Sequence, residues 1–285
     1  MASGQIRIDD IQLQGLVQRL WLCYLSVWDL CEEKMSVTIR FQFARRGPVR
    51  YLGHLDMLRY FQKAVMRSEI PAKYTEGFHP HQIMSFAYPL GVAMETDGDY
   101  FDLELTELRP VEELCKALND VMHEGIWIVA AAVMPEHSVN AMASVAAADY
   151  EIQVEGEHPE TLRDVLMTAA VNLMARETLL LGAPQEDAEE KKKNADRSKR
   201  GGKKEKKAKD IRPGILSLEV DAEAPVLRMR LLSGSALNVR PADVFALLAE
   251  TVPEEKLRAV RIIRKEIYGE RDGVYIPLLA LGGEN

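Results

Sequence analysis

Three histidines and one aspartate have the types and spacing best suited to chemistry in this sequence. His79 and His81 flank a proline within residues 73–91, and residues two apart on an extended segment project to the same side. With a third ligand such as His54 or Asp56 they could bind a metal, or they could act as an acid–base pair on RNA. The plainer interpretation is a surface loop whose histidines only pack or form hydrogen bonds. We predict no resident metal and no cofactor, and the reaction stays open because the stretch lacks a carboxylate pair and a nucleophile motif.

Basic and aromatic residues surround these histidines. Guanidinium groups pair with phosphates through two hydrogen bonds, and aromatic rings stack on unpaired bases, so we predict an RNA- or anion-binding surface. Its candidate residues are Arg45, Arg46, Arg50, Lys73, Tyr74 and Phe78. A second basic set, Arg59, Lys63 and Arg67, follows one helix and could equally be an ordinary solvated face. Phe78 could instead fill a gap in the core.

Two arginines in the second half of the chain complete the candidate site. Arg212 and Arg240 each precede a proline and are predicted to lie in comparable loops. Ser233, Ser235 and Asn238 offer hydrogen-bonding groups near Arg240. A cleft between the two halves could therefore collect both basic sets, unless each arginine only caps the fold through carboxylates.

The composition sets the broad class. The chain has 285 residues, 47% of them apolar, which is enough for two domains of ordinary size. Its three cysteines have no CxxC or CxxxCxxC spacing, so neither a disulfide framework nor a zinc or iron–sulfur site is supported. This pattern favours a reduced, cytoplasmic setting.

The net charge of −8 is unevenly distributed. Residues 186–210 hold eleven Lys/Arg and seven Asp/Glu, so the rest carries 25 basic and 37 acidic residues. Residues 37–81 run against this trend, with eight basic residues and three acidic ones. A basic region on an acidic body indicates one confined anionic partner.

The secondary-structure elements that position these residues can be predicted from residue 37 onward. Apolar and polar residues alternate over 37–43 as in a half-buried strand. A helix is predicted over 54–68, with Leu55, Leu58, Phe61 and Val65 on its apolar face. Further elements are predicted as strands over 82–88 and 99–106, a helix over 110–122 and a strand over 126–134.

The same βαββαβ order is predicted a second time. The second set consists of a strand over 149–155, a helix over 159–177, strands over 214–220 and 226–232, a helix over 241–250 and a strand over 258–268. We therefore predict an α+β protein of two tandem ferredoxin-like units, residues 35–145 and 146–285. The alternative is an unrelated α+β arrangement.

Two segments fall outside this pattern. Residues 1–34 contain an apolar stretch too short to span a bilayer and without a small-residue cleavage site. We expect residues 1–34 to result from a mis-called start, with Met35 as the true one; the alternatives are a docking helix and a membrane anchor. Residues 186–209 have almost no apolar side chains and are expected to be a disordered, solvated insertion. The alternative is a basic arm that lies along RNA.

Two motifs carry a resemblance. The segments Tyr-Thr-Glu-Gly-Phe-His-Pro-His at 74–81 and Met-Ser-Phe-Ala-Tyr-Pro-Leu-Gly at 84–91 resemble the central motif of a bacterial radical-SAM-linked family of unknown function. Further matches are Phe-Ala-Arg at 43–45, Val-Arg-Tyr-Leu-Gly-His-Leu-Asp at 49–56, Asp-Tyr-Phe-Asp at 99–102, Asp-Ile-Arg-Pro at 210–213 and Ser-Gly-Ser-Ala-Leu-Asn-Val-Arg-Pro at 233–241. The departures are the 1–34 extension and the long lysine run before Asp210.

This family is usually encoded beside, or fused to, a radical SAM protein, so the resemblance implies such a partner without implying a mechanism. We expect an accessory protein that presents RNA or another anionic substrate to a separate radical SAM enzyme. The alternatives are an RNA-processing or RNA-modifying enzyme that uses His54, His79 or His81, and a protein-only scaffold. The chain itself lacks the three closely spaced thiolates that a radical SAM cluster needs.

Overall fold

The computed structural model describes residues 36–181, 209–234, 237–252 and 256–282. Within these ranges a nine-stranded, mostly antiparallel sheet packs against a few helices, so the α+β class is confirmed. The expectations for residues 1–34, and for the charged insertion up to residue 208, lie outside the described residues. No helix in the described part of the chain is long and apolar enough to cross a membrane.

The first half follows the predicted order of elements. These elements are β1 (Val37–Arg45), α1 (His54–Arg67), β2 (Met84–Phe86), β3 (Met94–Leu105), α2 (Val111–Val121) and β4 (Ile126–Val133). β1 lies antiparallel to β3 on one side and to β4 on the other, and β2 pairs with the C-terminal part of β3. The strand predicted over 37–43 is confirmed, with Ile39, Phe41 and Phe43 buried. Its polar face is not solvated throughout as predicted, because Arg40 is fully buried and donates to Asp102. Phe101 of β3 stacks on Phe41, and Phe61 of α1 meets Phe43 edge-on.

One predicted core position of α1 is wrong. Leu55 is 65% exposed, whereas Met57, Phe61 and Val65 are buried. Neighbouring helix residues are about 100° apart, so residues two positions apart lie on nearly opposite sides. The sheet therefore takes Met57 as its first-turn contact, and Leu55 is left on the surface.

The second half also keeps its predicted order, with two additions inside it and one short, unpredicted helix before it. After the short α3 (Ala141–Ser144), its elements are β5 (Ala147–Glu155), α4 (Leu162–Met174), β6 (Leu180–Leu181), β7 (Lys209–Asp210), β8 (Ile215–Val220), β9 (Val226–Leu232), α5 (Pro241–Glu250), β10 (Arg258–Arg271) and β11 (Val274–Pro277). Helix α5 has the predicted bounds and α4 is shorter than predicted. The additions are the β6–β7 pair and the β10–β11 hairpin, which ends in a 3₁₀ turn.

One sheet joins the two halves. Its strand order is β4-β1-β3-β10-β5-β9-β8, and the contact at its centre is the parallel pairing of β3 with β10, at Ile262 opposite Met94. The approach is close: a Cβ added at Gly98 would lie 2.5 Å from the Lys265 carbonyl oxygen. Only glycine therefore lets the two strands approach this closely. Each half also has its own hydrophobic core.

Candidate functional site

Residues 73–83, which contain both loop histidines, form a hairpin that we call the 73–83 hairpin. Its two arms are joined by a bridge between Tyr74 and Gln82. Gly77 lies at the tip with a φ of +109°, a conformation in which any other residue would be strained. The segment is therefore an ordered turn with a defined tip.

The base of this hairpin is attached to both neighbouring elements. The Lys73 N–H donates to the Glu104 carbonyl of β3 (2.8 Å), and the Glu104 N–H donates to the Ile83 carbonyl (3.0 Å). Buried Gln82 donates its side-chain Nε2 to the Gln62 carbonyl of α1 (3.2 Å). The tip is thus held at a fixed place beside α1.

Aromatic and imidazole side chains project from the tip. Phe78 is fully exposed, so it does not fill a gap in the core, and Tyr74 is 45% exposed. His79 and His81 are exposed as well. His81 Nδ1 forms a hydrogen bond with Thr75 Oγ1 (3.1 Å). Within residues 73–83, all of which the structure describes, this is the only hydrogen bond between two side chains that involves an imidazole. The structure brings an unpacked ring and two accessible imidazoles to one surface.

His54 lies in a different environment from the hairpin histidines. It is half-buried at the start of α1, and its ring meets Phe86 edge-on with the centroids 5.6 Å apart. Asp56 is directed instead toward Arg59, at 3.9 Å. Among the described residues, no three His, Cys, Asp or Glu side chains converge to hold a metal ion.

Three predicted loop cations are paired with carboxylates. The pairs are Arg46 with Asp97 (2.8 Å), Arg50 with Glu95 (3.3 Å) and Lys73 with Glu104 (3.1 Å). Their side chains are about one-third exposed. A phosphate approaching these cations would have to compete with a carboxylate already in place.

Arg45 is the most deeply placed of the predicted residues. Only 1% of it is exposed, and it donates to the carbonyls of Leu52 (3.1 Å), Gly91 (3.2 Å) and Met94 (2.8 Å). Its Nε has no hydrogen-bond partner among the described residues. Burial lowers the pKa of Arg45. This arginine fastens the loop around Gly91 from inside and does not reach a ligand on the outer surface.

The basic residues of α1 are more accessible than the loop set. Lys63 is exposed and has no ion pair among the described residues. Arg59 is 3.9 Å from Asp56, with both side chains mostly exposed, and Arg67 donates to the Val121 carbonyl (3.2 Å). Exposed pairs of this kind contribute little binding energy, so Arg59 and Lys63 remain available to a ligand. They lie on the helix that supports the 73–83 hairpin.

The sequence analysis missed an ion-pair network at the β3–β10 contact. Acidic residues at every second position of β3 meet cations of β10. The pairs are Glu95 with Arg261 (2.6 Å), Asp97 with Lys265 (2.5 Å) and Asp99 with Arg264 (2.6 and 2.7 Å). Burial acts to raise the pKa of Glu95, but hydrogen bonds from Arg261 and the Gly47 N–H outweigh it and lower that pKa. The alternating acids were the signal in the sequence that could have revealed this network.

The two arginines of the second half have separate roles. Arg212 donates to the carbonyls of Met174 (3.0 Å) and Arg176 (3.2 Å), so it caps the C-terminal end of α4. Arg240 is exposed before α5, and its guanidinium has no hydrogen bond to any described residue. Nearby, the hydroxyl of Tyr88 donates to Asn238 Oδ1 (2.9 Å), which joins the loops of the two halves.

Comparisons with known proteins identify a family and leave the activity open. No curated protein matches this chain. One solved structure that resembles it is described as an unknown protein from Galdieria sulphuraria. The match covers 80% of this chain and 98% of that one, at 12% identity and a TM-score of 0.24. A family model matches residues 38–241, well over half of the chain. The chain therefore belongs to the family described as "uncharacterized protein conserved in bacteria (DUF2344)".

Proposed function

We propose that this protein is an accessory RNA-binding protein that presents its RNA to a separate radical SAM enzyme. The observation that carries the proposal is the fully exposed Phe78 at the tip of the anchored 73–83 hairpin. An exposed aromatic ring on a fixed backbone loses little conformational freedom on binding. It is therefore well suited to stack on an unpaired base.

The surroundings of Phe78 support RNA as the ligand. Tyr74 offers a second partly exposed ring on the same hairpin, and Arg59 and Lys63 supply cations on the supporting helix. The exposed imidazoles of His79 and His81 add hydrogen-bonding groups. Stacking rings beside cations that can track a phosphate backbone are the usual composition of a single-strand binding surface.

The proposal of a radical SAM enzyme as the partner rests on sequence motifs alone. The motifs at 74–81 and 84–91 resemble those of radical-SAM-linked proteins, and this sequence has no CxxxCxxC of its own. We place the chemistry on the partner for this reason. The alternatives are catalysis by His79 or His81 on the bound RNA, and a scaffold that uses Phe78 to dock the partner protein.

We also propose that each half is a ferredoxin-like unit. In this fold the second and third strands form a hairpin, and the first strand lies between the third and the fourth. The orders β4-β1-β3, with β2 on β3, and β10-β5-β9-β8 support this proposal. Shared strand order carries no function by itself.

The test replaces Phe78 by alanine and measures binding to single-stranded and duplex RNA by fluorescence anisotropy. Loss of one stacked base costs about 1–3 kcal/mol, so we expect the Kd for single-stranded RNA to rise about 5- to 150-fold. Duplex binding should change much less. The Tm should not change, because Phe78 packs against nothing that folding requires.

A matched control is Val171→Ala, which removes another exposed apolar side chain, on α4 in the other half. It should leave both affinities unchanged. Equal effects of the two substitutions would refute the RNA surface. Unchanged RNA binding, together with loss of a complex between Phe78→Ala and the radical SAM protein, would favour the scaffold.

A further inference from the structure

Tyr74 and Gln82 face each other across the two arms of the 73–83 hairpin. Backbone hydrogen bonds join the arms on either side of them, through the residue pairs 73/83 (2.9 Å) and 75/81 (2.8 Å). Tyr74 and Gln82 are therefore a non-hydrogen-bonded pair, whose side chains lie on the same face of the hairpin and close together.

Gln82 connects three parts of this region through its side-chain amide. It is only 4% exposed, and its Nε2 donates both to the Gln62 carbonyl of α1 (3.2 Å) and to the Tyr74 hydroxyl (3.3 Å). Its Oε1 has no hydrogen-bond partner among the described residues, and a buried acceptor left in this state costs stability. The contribution of the amide at this position is therefore the two hydrogen bonds that it donates.

The two aromatic rings of the hairpin differ in how firmly they are held. The Phe78 ring is fully exposed, whereas the Tyr74 ring is 45% exposed and is held at its far end by the bond from Gln82. A ring that is already fixed loses less side-chain freedom when a base stacks on it. Tyr74 therefore presents a preformed surface to a ligand.

The same amide also fixes the hairpin relative to the cations of α1. Gln62, which accepts from Gln82, is the neighbour of Lys63 and lies three residues after Arg59 on this helix. Both cations are available to a phosphate backbone. A hydrogen bond to this turn of α1 thus sets where the rings of the hairpin lie with respect to the cations.

We propose that Tyr74 is a second stacking platform of the RNA surface and that Gln82 is the positioning residue that holds it. This inference rests on the RNA-binding function proposed above and extends it to the form of the ligand. Two rings suit a single strand with at least two unpaired bases, one on Phe78 and one on Tyr74. Gln82 is buried, so it acts through Tyr74 and α1 and does not touch the RNA itself.

The test is a double-mutant cycle on the hydrogen bond between these two side chains, with the Kd for single-stranded RNA measured by fluorescence anisotropy. Tyr74→Phe keeps the ring and removes only its hydroxyl, and Gln82→Met keeps the side-chain length and removes the donors. Each should raise the Kd about 2- to 12-fold, the cost of ordering one more side chain on binding. The double variant should be no weaker than the weaker single variant, because both changes remove the same bond.

A matched control is Asn119→Leu, which removes another side-chain amide that links a helix to a strand. Asn119 of α2 donates to the Ile128 carbonyl of β4 (3.1 Å) and accepts from its N–H (2.7 Å). This substitution should lower the Tm and leave the Kd unchanged. A lower Tm with an unchanged Kd in Gln82→Met would overturn the positioning role, and so would an unchanged Kd in Tyr74→Phe. Effects that add in the double variant would also overturn it, because the hydroxyl would then contact the RNA directly.

Phe78→Ala, measured beside these variants, separates this inference from the function on which it rests. If Phe78→Ala raises the Kd and Tyr74→Phe does not, the RNA surface stands and the role of Gln82 is refuted. If the wild-type chain binds no single-stranded RNA, both proposals are refuted together.

Discussion

The surface of α1 with the 73–83 hairpin, and the contact between β3 and β10, use the same kinds of residue in opposite ways. On the first, Lys63 is unpaired among the described residues and Phe78 is uncovered. At the second, Arg264 is fully buried, with both oxygens of Asp99 accepting from it and the ring of Tyr88 stacked on it. Cations at the strand contact hold the sheet together, and cations on the helix are free to meet a ligand.

This difference shows that a count of basic residues does not locate a binding site. Residues 37–81 carry an excess of arginine and lysine, yet part of that excess compensates acids of β3. A cation is available to a ligand only if no carboxylate lies within reach of it in the folded chain. Arg46 and Lys63 count equally as basic residues, but Arg46 donates to Asp97, whereas Lys63 has no ion pair among the described residues.

The largest expected effect comes from breaking the strand contact. Arg264→Ala would leave Asp99 buried without its partner, and such a loss typically costs about 3–5 kcal/mol. We expect this decrease in the free energy of unfolding in urea titrations at neutral pH. The matched control is Arg228→Ala, an exposed pair with Glu151 on the same sheet, which should cost no more than about 1 kcal/mol.

A double variant sharpens the same comparison. Replacing Arg264 by Met and Asp99 by Leu removes both charges together and should recover most of the lost stability. If Arg264→Ala were no more destabilising than Arg228→Ala, the β3–β10 contact would not depend on this ion pair.

The next effect concerns pH. Burial raises the pKa of Glu266, and hydrogen bonds from Tyr100 and the Ile267 N–H offset the shift only in part. A group with a raised pKa contributes stability that is present below its unfolded value, about 4.3, and is lost as pH rises through its folded value. Glu266→Gln should therefore gain stability relative to wild type between pH 4 and pH 7, as measured by unfolding free energies at each pH.

Glu95 provides a control of opposite sign. Its pKa is lowered in the folded protein, so its contribution is present above the unfolded pKa and is lost as pH falls through the folded value. Glu95→Gln should be less stable than wild type at pH 7, with the difference shrinking in acid. Parallel pH profiles for the two variants would show that the pKa shifts have been assigned the wrong sign.

The smallest expected effect compares two single cations. Lys63→Ala should reduce the slope of log K against log salt for single-stranded RNA by about 0.7, the value for one phosphate contact. Arg46→Ala should change the slope less, because this arginine already donates to Asp97. The reverse result would move the RNA path from α1 to the loops before it.

Local elements followed from the sequence where periodicity was strong. The alternation at Ile39, Phe41 and Phe43 predicted β1, and the proline at position 241 marked the start of α5. The apolar face of α1 was predicted two positions off at its first turn, since Leu55 and Met57 are both apolar. Only contact with the sheet distinguishes them.

The candidate site was likewise predictable from the sequence only in part. The types and spacing of residues 73–83 predict a functional surface from the sequence, because a simple turn does not need Phe78 and two histidines around Pro80. The burial of Arg45 could not be predicted, since it depends on carbonyls at residues 52, 91 and 94. Those partners come together only when the loop after β2 closes over β1.

The sequence by itself determined the order of elements, the acidic body with its basic region, and the residues displayed on the hairpin, because each of these is a property of neighbouring positions. The tertiary structure alone decided that β3 pairs with β10 and that three acids of β3 meet the cations of β10. The alternating acids of β3 mark it as a strand with ion-pair partners, but nothing in its own sequence says that those partners lie some 165 residues away. Which cations stay free for a ligand is set by which carboxylates the folded chain brings beside them.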